Sequence, residues 1–240
     1  MRFCIHQLIY LTNFLIKVYK EQIYKQISIN KMPVIDYIND FKHTRIVTWN
    51  VTESNEELLE YLQLEEYRIE KYNNLRPKQA REYLGLRACL KKLDLDYDVN
   101  YDERGKPFLP TNKEISITHS YGLVSVGVSE YNIGIDIELA RPKKILNIKH
   151  KFARPDELAW IPKEQETEYL HVIWGMKEGL YKLNGGNLWN FLNHYRAEEF
   201  ELIENKQFVC WISDDVKSRK YHAFYKMIED HYLVWVLDYE

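Results

Sequence analysis

The chain has 240 residues, 45% of them hydrophobic and 14% aromatic, and a formal net charge of -3. That is enough apolar material for a buried core, and the charge is too balanced for a disordered acidic tail or a basic nucleic-acid-binding block, so function must be sought in local constellations. Cys4, Cys89 and Cys210 are too few and too scattered for a disulfide framework or a metal knuckle, which fits a reducing, cytoplasmic setting.

Met1 to Asn30 contains short apolar runs, Leu8 to Leu11 and Phe14 to Val18, interrupted by Gln7, Asn13 and Lys17. No stretch there reaches the roughly 20 apolar residues of a membrane span, and no continuous apolar region leads to a small-residue cleavage site. Residues 1–31 therefore read as an extension upstream of Met32, or as a short amphipathic helix lying on the domain.

From Arg45 to Val51 the pattern is strand-like, and Asn55 to Gln79 carries apolar residues at helical spacing. Gln79 to Leu93 places Tyr83, Leu86, Leu90 and Leu93 on one helical stripe, with Pro77 as the start signal. The period then falls to two. Val99 to Tyr101, Ile115 to Ile117, Leu123 to Val128 and Ile133 to Ile137 read as strands separated by turns at Gly105, Pro107 and Gly122. After Arg154, Pro155, Asp156 and Glu157 comes a helix from about Thr167 to Leu183, stopped by Gly185 and Gly186. Strands follow at Phe200 to Ile203, Phe208 to Ile212, Tyr221 to Ile228 and Tyr232 to Asp238. A slide of ninety positions pairs Arg87, Leu90, Lys92 and Leu93 with Lys177, Leu180, Lys182 and Leu183. The fold class is therefore α+β in two similar halves related by a pseudo-twofold axis, residues 32–132 and 133–240, each a helix on a small, mostly antiparallel sheet. A ligand site is expected in the cleft between them.

On the strand Gly134 to Glu138, Asp136 and Glu138 leave one face while the isoleucines fill the other. Any half-exposed strand can alternate in this way. On the later helix Ile173, Met176, Leu180 and Leu183 form an apolar stripe, and Trp174, Glu178 and Lys182 share another face at spacing four. An exposed Glu to Lys pair at that spacing contributes only about 0.3 to 0.5 kcal/mol, but a tryptophan one turn earlier suggests that this face lines a cleft. Thr118, His119 and Ser120 fall in a turn between two predicted strands, where they could reach a phosphate or simply cap the turn. Arg104 to Pro107 forms another turn, from which Lys106 projects toward a ligand or into solvent.

Taken in order, Gly105-Lys106-Pro107, Thr118-His119-Ser120, Gly134-Asp136-Glu138 and Trp174-Lys177-Glu178-Lys182 resemble the 4′-phosphopantetheinyl transferase superfamily. The similarity runs from about residue 40 to the C-terminus, and the chain's length resembles the large, single-chain, surfactin-synthetase-activating class. The resemblance implies transfer of 4′-phosphopantetheine from coenzyme A to a serine hydroxyl of an apo acyl or peptidyl carrier protein. Adenosine 3′,5′-bisphosphate would leave, and the enzyme would be a cytoplasmic monomer that engages neither nucleic acid nor membrane.

It implies Mg²⁺ held by Asp136, Glu138 and Glu178, with Glu138 the ligand that some members replace by water. It also implies Lys182 at the developing phosphate charge, Glu178 or a metal-bound water as base, and coenzyme A contacts at Arg68, Lys106, Thr118, His119 and Ser120. Lys71 and Arg81 are further candidates for the 3′-phosphate, and Glu157 matches an acidic position near the carrier approach. Two other readings share parts of this residue set: a Mg²⁺-dependent phosphohydrolase, and a non-catalytic coenzyme A or carrier-binding module.

Overall fold

The computed structural model describes residues 34–96 and 98–239. The readings of Met1 to Asn30 and of Met32 as the start lie outside those residues.

Strands β1 (Val34–Phe41) and β2 (Thr44–Asn50) form the opening hairpin. The helical stretch after it is two helices, α1 (Asn55–Leu62) and α2 (Glu66–Asn73). Ser54 begins α1 with a capping box closed by Glu57, and Gln63 ends it with a left-handed φ of 52°. Helix α3 (Pro77–Lys92) has proline in its first turn, as its sequence signal predicts.

Of the expected stripe, Leu90 and Leu93 are fully buried and Tyr83 and Leu86 only half-buried, and the core face of α3 also takes in Leu84, Ala88 and Cys89. Gly85 sets that face. A Cβ there would meet Val51 and Val124 at 2.8 Å, so the helix lies flat on the sheet along its glycine side.

The short ribbon β3 (Asn100–Tyr101) and β4 (Pro107–Phe108) encloses the expected turn, where Asp102 Oδ1 accepts the Arg104 and Lys106 backbone N–H groups. Strands β5 (Glu114–Ser120) and β6 (Leu123–Ser129) complete a four-stranded sheet of order β1-β2-β6-β5. Here the expectation of a turn at Thr118 to Ser120 is corrected, because all three residues are the last of β5. The turn is Tyr121-Gly122, with φ of 46° and 92° as a tight two-residue hairpin requires.

Strand β7 (Asn132–Leu139) opens the second sheet. It is followed by α4 (Pro142–Ile148), α5 (Pro155–Trp160), α6 (Glu166–Leu183) and the short α7 (Phe191–His194). Strands β8 (Tyr195–Ala197), β9 (Phe208–Ser213), β10 (Ser218–Ile228) and β11 (His231–Asp238) complete the order β7-β11-β10-β9-β8. The strand expected at Phe200 to Ile203 is absent. Phe200 instead stacks on Phe208 at 4.2 Å, and the backbone turns back through a bond from Ile203 N–H to Glu201 O.

Both sheets repeat one connection: a strand, a long helix, then a hairpin whose second strand pairs antiparallel with that first strand. It runs β2, α3, β5, β6 in one sheet and β7, α6, β10, β11 in the other.

The sheets meet along β5 and β7 without main-chain pairing. The side chains of Ser116, Thr118 and Ser120 accept the backbone N–H groups of Ile135, Ile137 and Leu139 at 3.0, 3.2 and 3.3 Å. A row of hydroxyls thus satisfies the outer edge of β7, which would otherwise be buried with unpaired donors.

Helix α6 lies against the other side of β7. A Cβ on Gly134 would fall inside the Gly179 carbonyl, and one on Gly179 would lie 3.1 Å from the Gly134 carbonyl oxygen. Helix and strand touch backbone to backbone there. Gly134→Ala should therefore cost about 3 kcal/mol or more, because backbone rather than a side chain must move. Urea unfolding checks this, and an unchanged midpoint would remove the contact from the account.

Candidate active site

The glycine contact brings together one face of β7 and one face of α6. Along β7, Ile133, Ile135 and Ile137 are at most 1% exposed on one side, so Gly134, Asp136 and Glu138 point to the other. Along α6, Ile173, Met176, Leu180 and Leu183 are buried as expected, and Trp174, Glu178 and Lys182 are only partly so.

Asp136 is the centre of the cluster. Its Oδ1 accepts the Lys182 ammonium at 2.7 Å and the Thr118 hydroxyl at 3.2 Å, and Lys182 also reaches the Ile135 carbonyl at 2.9 Å. Asp136 Oδ2 is buried and has no hydrogen-bond partner among the described residues. Around it two carboxyl groups have raised proton affinity. Burial and then the Asp136 carboxylate push the Glu178 carboxyl up to about 7, with Lys182 opposing. Burial and Asp136 also raise Glu138, against Lys144, Arg141 and the Trp174 indole.

This donor set fits a hard dication: three carboxylates, one with a buried orphan oxygen and two with raised proton affinity. The cage is not preformed. Among the described residues no group of three or more His, Cys, Asp or Glu side chains stands ready to hold an ion. Lys182 takes one Asp136 oxygen, and Glu138 Oε2 leans toward Arg141 Nη2 at 3.6 Å. Rotation of the two glutamate side chains would be needed to close around a cation at Asp136.

Two cavities flank the cluster and share Glu82, His119 and Val124 in their walls. The larger, about 750 Å³, is lined by Lys78, Arg81, Ser120, Tyr121, Glu138 and Arg141 among others. The smaller, about 460 Å³, includes Lys71, Tyr83, Tyr101, Gly105 and Lys182. His119 is half exposed and lies 3.5 Å from Glu82. Ser120 and Thr118 face the seam with β7, and of the two Ser120 also reaches a cavity wall.

The remaining basic residues are partly engaged. Arg81 donates to Val51 O and Asn55 Oδ1. Lys106 Nζ donates to Asn132 Oδ1 at 2.9 Å and to Leu183 O at 3.1 Å, so it caps the C-terminal end of α6 from the first sheet's ribbon. Arg68 is 6% exposed, with its guanidinium on Asp96 and Asp98, and it lines neither cavity.

Glu157 lies away from the cluster. It is 1% exposed and accepts the Lys177 ammonium at 2.7 Å and the backbone N–H groups of Arg154 and Ala197 at 2.8 Å. Lys177 is itself fully buried, and its second bond goes to Phe152 O. Burial pulls the Lys177 pKa down while Glu157 pushes it back up. A carboxylate with both oxygens bonded in the core is a strut tying α5, α6 and β8 together, not a base for a substrate.

Residues 132–235 match the family model of the 4′-phosphopantetheinyl transferase superfamily. Through that segment, somewhat less than half of the chain, the protein is similar to this superfamily. The match covers β7, α6 and most of the second sheet, and therefore Asp136, Glu138, Glu178 and Lys182. Among its relatives is a 4′-phosphopantetheinyl transferase of Bacillus subtilis, 34% identical over 109 residues, or 42% of this chain and 48% of that one. Sfp of Bacillus subtilis (strain 168) is 31% identical over 113 residues, 45% and 50% of the two chains. AcpT of Escherichia coli O157:H7 is 29% identical over 124 residues, 49% and 64%. The matched region spans about half the length of the first two relatives. The turn bearing Lys106 and the β5 residues Thr118 to Ser120 precede the superfamily segment.

Because its folded pKa lies near 7 and its ordinary value near 4.5, Glu178 binds more protons in the folded chain between those pH values. Its contribution to stability is then fully present at low pH and is lost as pH rises through about 7. In chelator, Glu178→Gln should gain thermal stability over the parent at about pH 8 and little at about pH 4.5. Melting curves that stay parallel across that range would contradict the crowding of carboxylates at Asp136.

Proposed function

We propose that this protein transfers 4′-phosphopantetheine from coenzyme A to a serine hydroxyl of an apo acyl or peptidyl carrier protein, as a Mg²⁺-dependent, single-chain enzyme. It belongs on this reading to the large class of two similar halves, residues 32–132 holding the nucleotide side and 133–240 the metal side, and works as a cytoplasmic monomer. Among the described residues no helix is long and apolar enough to cross a membrane.

The observation that carries the reading is the meeting of Asp136, Glu178 and Lys182 beside two cavities built largely from the first sheet and α3, one of which has Glu138 in its wall and the other Lys182. The match to the superfamily and the names of the relatives support it. A non-catalytic binding module would have no use for a lysine poised on a buried aspartate beside a glutamate of raised proton affinity.

Mg²⁺ held by Asp136, Glu138 and Glu178 would neutralise the diphosphate and make its phosphorus a better electrophile. The protein's own residues supply the rest. The carrier serine oxygen attacks the phosphorus nearest the pantetheine, and the bond from that phosphorus to the bridging oxygen breaks. Adenosine 3′,5′-bisphosphate leaves with the electron pair. Glu178 accepts the serine proton. Lys182, tied to Asp136 and the Ile135 carbonyl, holds positive charge where phosphate oxygens gain negative charge. Thr118 holds the Asp136 carboxylate by one oxygen and leaves the other available. The position of His119, half exposed on the wall common to both cavities, suits hydrogen bonding to a phosphate of the nucleotide.

The test is to incubate the purified protein with coenzyme A, Mg²⁺ and an apo carrier protein and to weigh the carrier. A mass gain of one phosphopantetheine is expected, abolished by chelator and lowered about 10² to 10³-fold in Lys182→Ala. No gain with several acyl and peptidyl carriers would overturn the transferase reading.

A further inference from the structure

Two cationic side chains in the wall of the larger cavity, Lys78 and Arg141, have no role assigned above. Arg141 follows β7 and stands on the second sheet's side of the cavity, beside Glu138. Its Nη1 donates to the Tyr121 hydroxyl at 2.6 Å, and its guanidinium lies 5.0 Å from the centre of the Tyr121 ring. Tyr121 sits at the tip of the β5–β6 hairpin, so the pair is a strap across the cavity from one sheet to the other. The base of the strap is fixed, since the Arg141 backbone N–H donates to Nε2 of the buried His171 at 2.9 Å.

The partners of the cations in this cavity differ. Arg81 donates to a carbonyl and an amide oxygen, and Lys78 pairs with Glu82 at 3.7 Å. Arg141 is oriented by a neutral phenol and an aromatic face, and its nearest carboxylate oxygen, on Glu138, is at 3.6 Å, beyond a close hydrogen bond. Its charge is thus paired with Glu138 at 3.6 Å while Tyr121 fixes its direction. A planar fork of donors held beside Glu138 can reach whatever anion the carboxylate cluster engages, and a fork of that geometry suits two oxygens of a phosphate.

We propose that Arg141, oriented by Tyr121, binds the diphosphate of coenzyme A on the side away from Lys182, so that the anion is gripped between the two cations. This rests on the transferase reading of the site. Before substrate arrives, the strap bridges the cavity mouth. When the diphosphate enters, the guanidinium exchanges its loose contact with Glu138 for phosphate oxygens, and Glu138 is released to turn toward the metal.

Calorimetric titration of coenzyme A and of adenosine 3′,5′-bisphosphate, in Mg²⁺, into the parent, Arg141→Gln, Arg141→Lys and Tyr121→Phe proteins tests it, beside steady-state KM values for coenzyme A and carrier. Arg141→Gln should weaken coenzyme A about ten- to a hundredfold, the effect of a lost charge-assisted hydrogen bond. Adenosine 3′,5′-bisphosphate, which lacks the second phosphate of the diphosphate, should lose less, and the carrier KM should hold. Arg141→Lys, which keeps the charge and loses the fork, and Tyr121→Phe, which keeps the ring, should fall between. Melting temperatures confirm that each variant is folded. Coenzyme A affinity within about twofold of the parent in Arg141→Gln, with a raised carrier KM, would overturn the proposal and assign Arg141 to carrier docking. A parent protein that neither binds coenzyme A nor modifies any carrier would instead overturn the transferase reading beneath it.

Discussion

The backbone contact between Gly134 and Gly179 is the constraint on which the site depends. Where two glycines replace side chains, the axis of a helix can settle against a strand at a depth that any Cβ would forbid. That depth brings Lys182 within 2.7 Å of Asp136 and sets the Asp136 carboxylate close enough to raise the proton affinity of Glu178. Gly175, one turn earlier, extends the close approach, since a Cβ there would strike Val234 and come within 3.9 Å of Asp136 Oδ2. Two interior helical glycines cost about 0.8 to 1.0 kcal/mol each in helix propensity relative to alanine, so the buried stripe of Ile173, Met176, Leu180 and Leu183 must hold the helix in place.

The electrostatics follow from that geometry. Three carboxylates are concentrated where burial already disfavours charge, with one lysine among them, and the result is a site that destabilises the free protein and favours an incoming cation. Away from it, charges are placed to opposite effect. Glu157 and Lys177 are paired in the core with their remaining bonds satisfied, and Arg68 is locked between Asp96 and Asp98. The same helix thus carries a structural lysine at 177 and a lysine of the site at 182, on different faces. The hydroxyl row of β5 joins the two regimes, because Thr118 both satisfies the edge of β7 and holds Asp136.

Much of this was legible in the sequence. Alternation on β7 and spacing four on α6 placed Asp136, Glu138, Glu178 and Lys182 on facing surfaces, and the α+β class follows from the same periodicities. What escaped were features set by contact between distant segments. Thr118 and Ser120 read as part of a turn because hydroxyls are turn formers, yet the edge of a neighbouring strand makes them, together with Ser116, a pairing surface. Glu157 read as a candidate at the carrier approach, and only the fold brings Lys177 and two backbone N–H groups to it. The glycines at 175 and 179 were a usable signal, since a helix interior tolerates them only where something must come close. The packing of α3 on Gly85 is the same signal in the first sheet.

The central claim is that the carboxylate cluster and Lys182 form one site for a dication and a diphosphate. Crystals grown with Mn²⁺ and coenzyme A, with anomalous scattering recorded at the manganese edge, test it most directly. The account predicts a single manganese peak bonded to Asp136 Oδ2 and Glu178, touching the diphosphate, with Lys182 on a phosphate oxygen. A manganese peak elsewhere, or a diphosphate bound out of reach of Asp136 and Lys182, would contradict it.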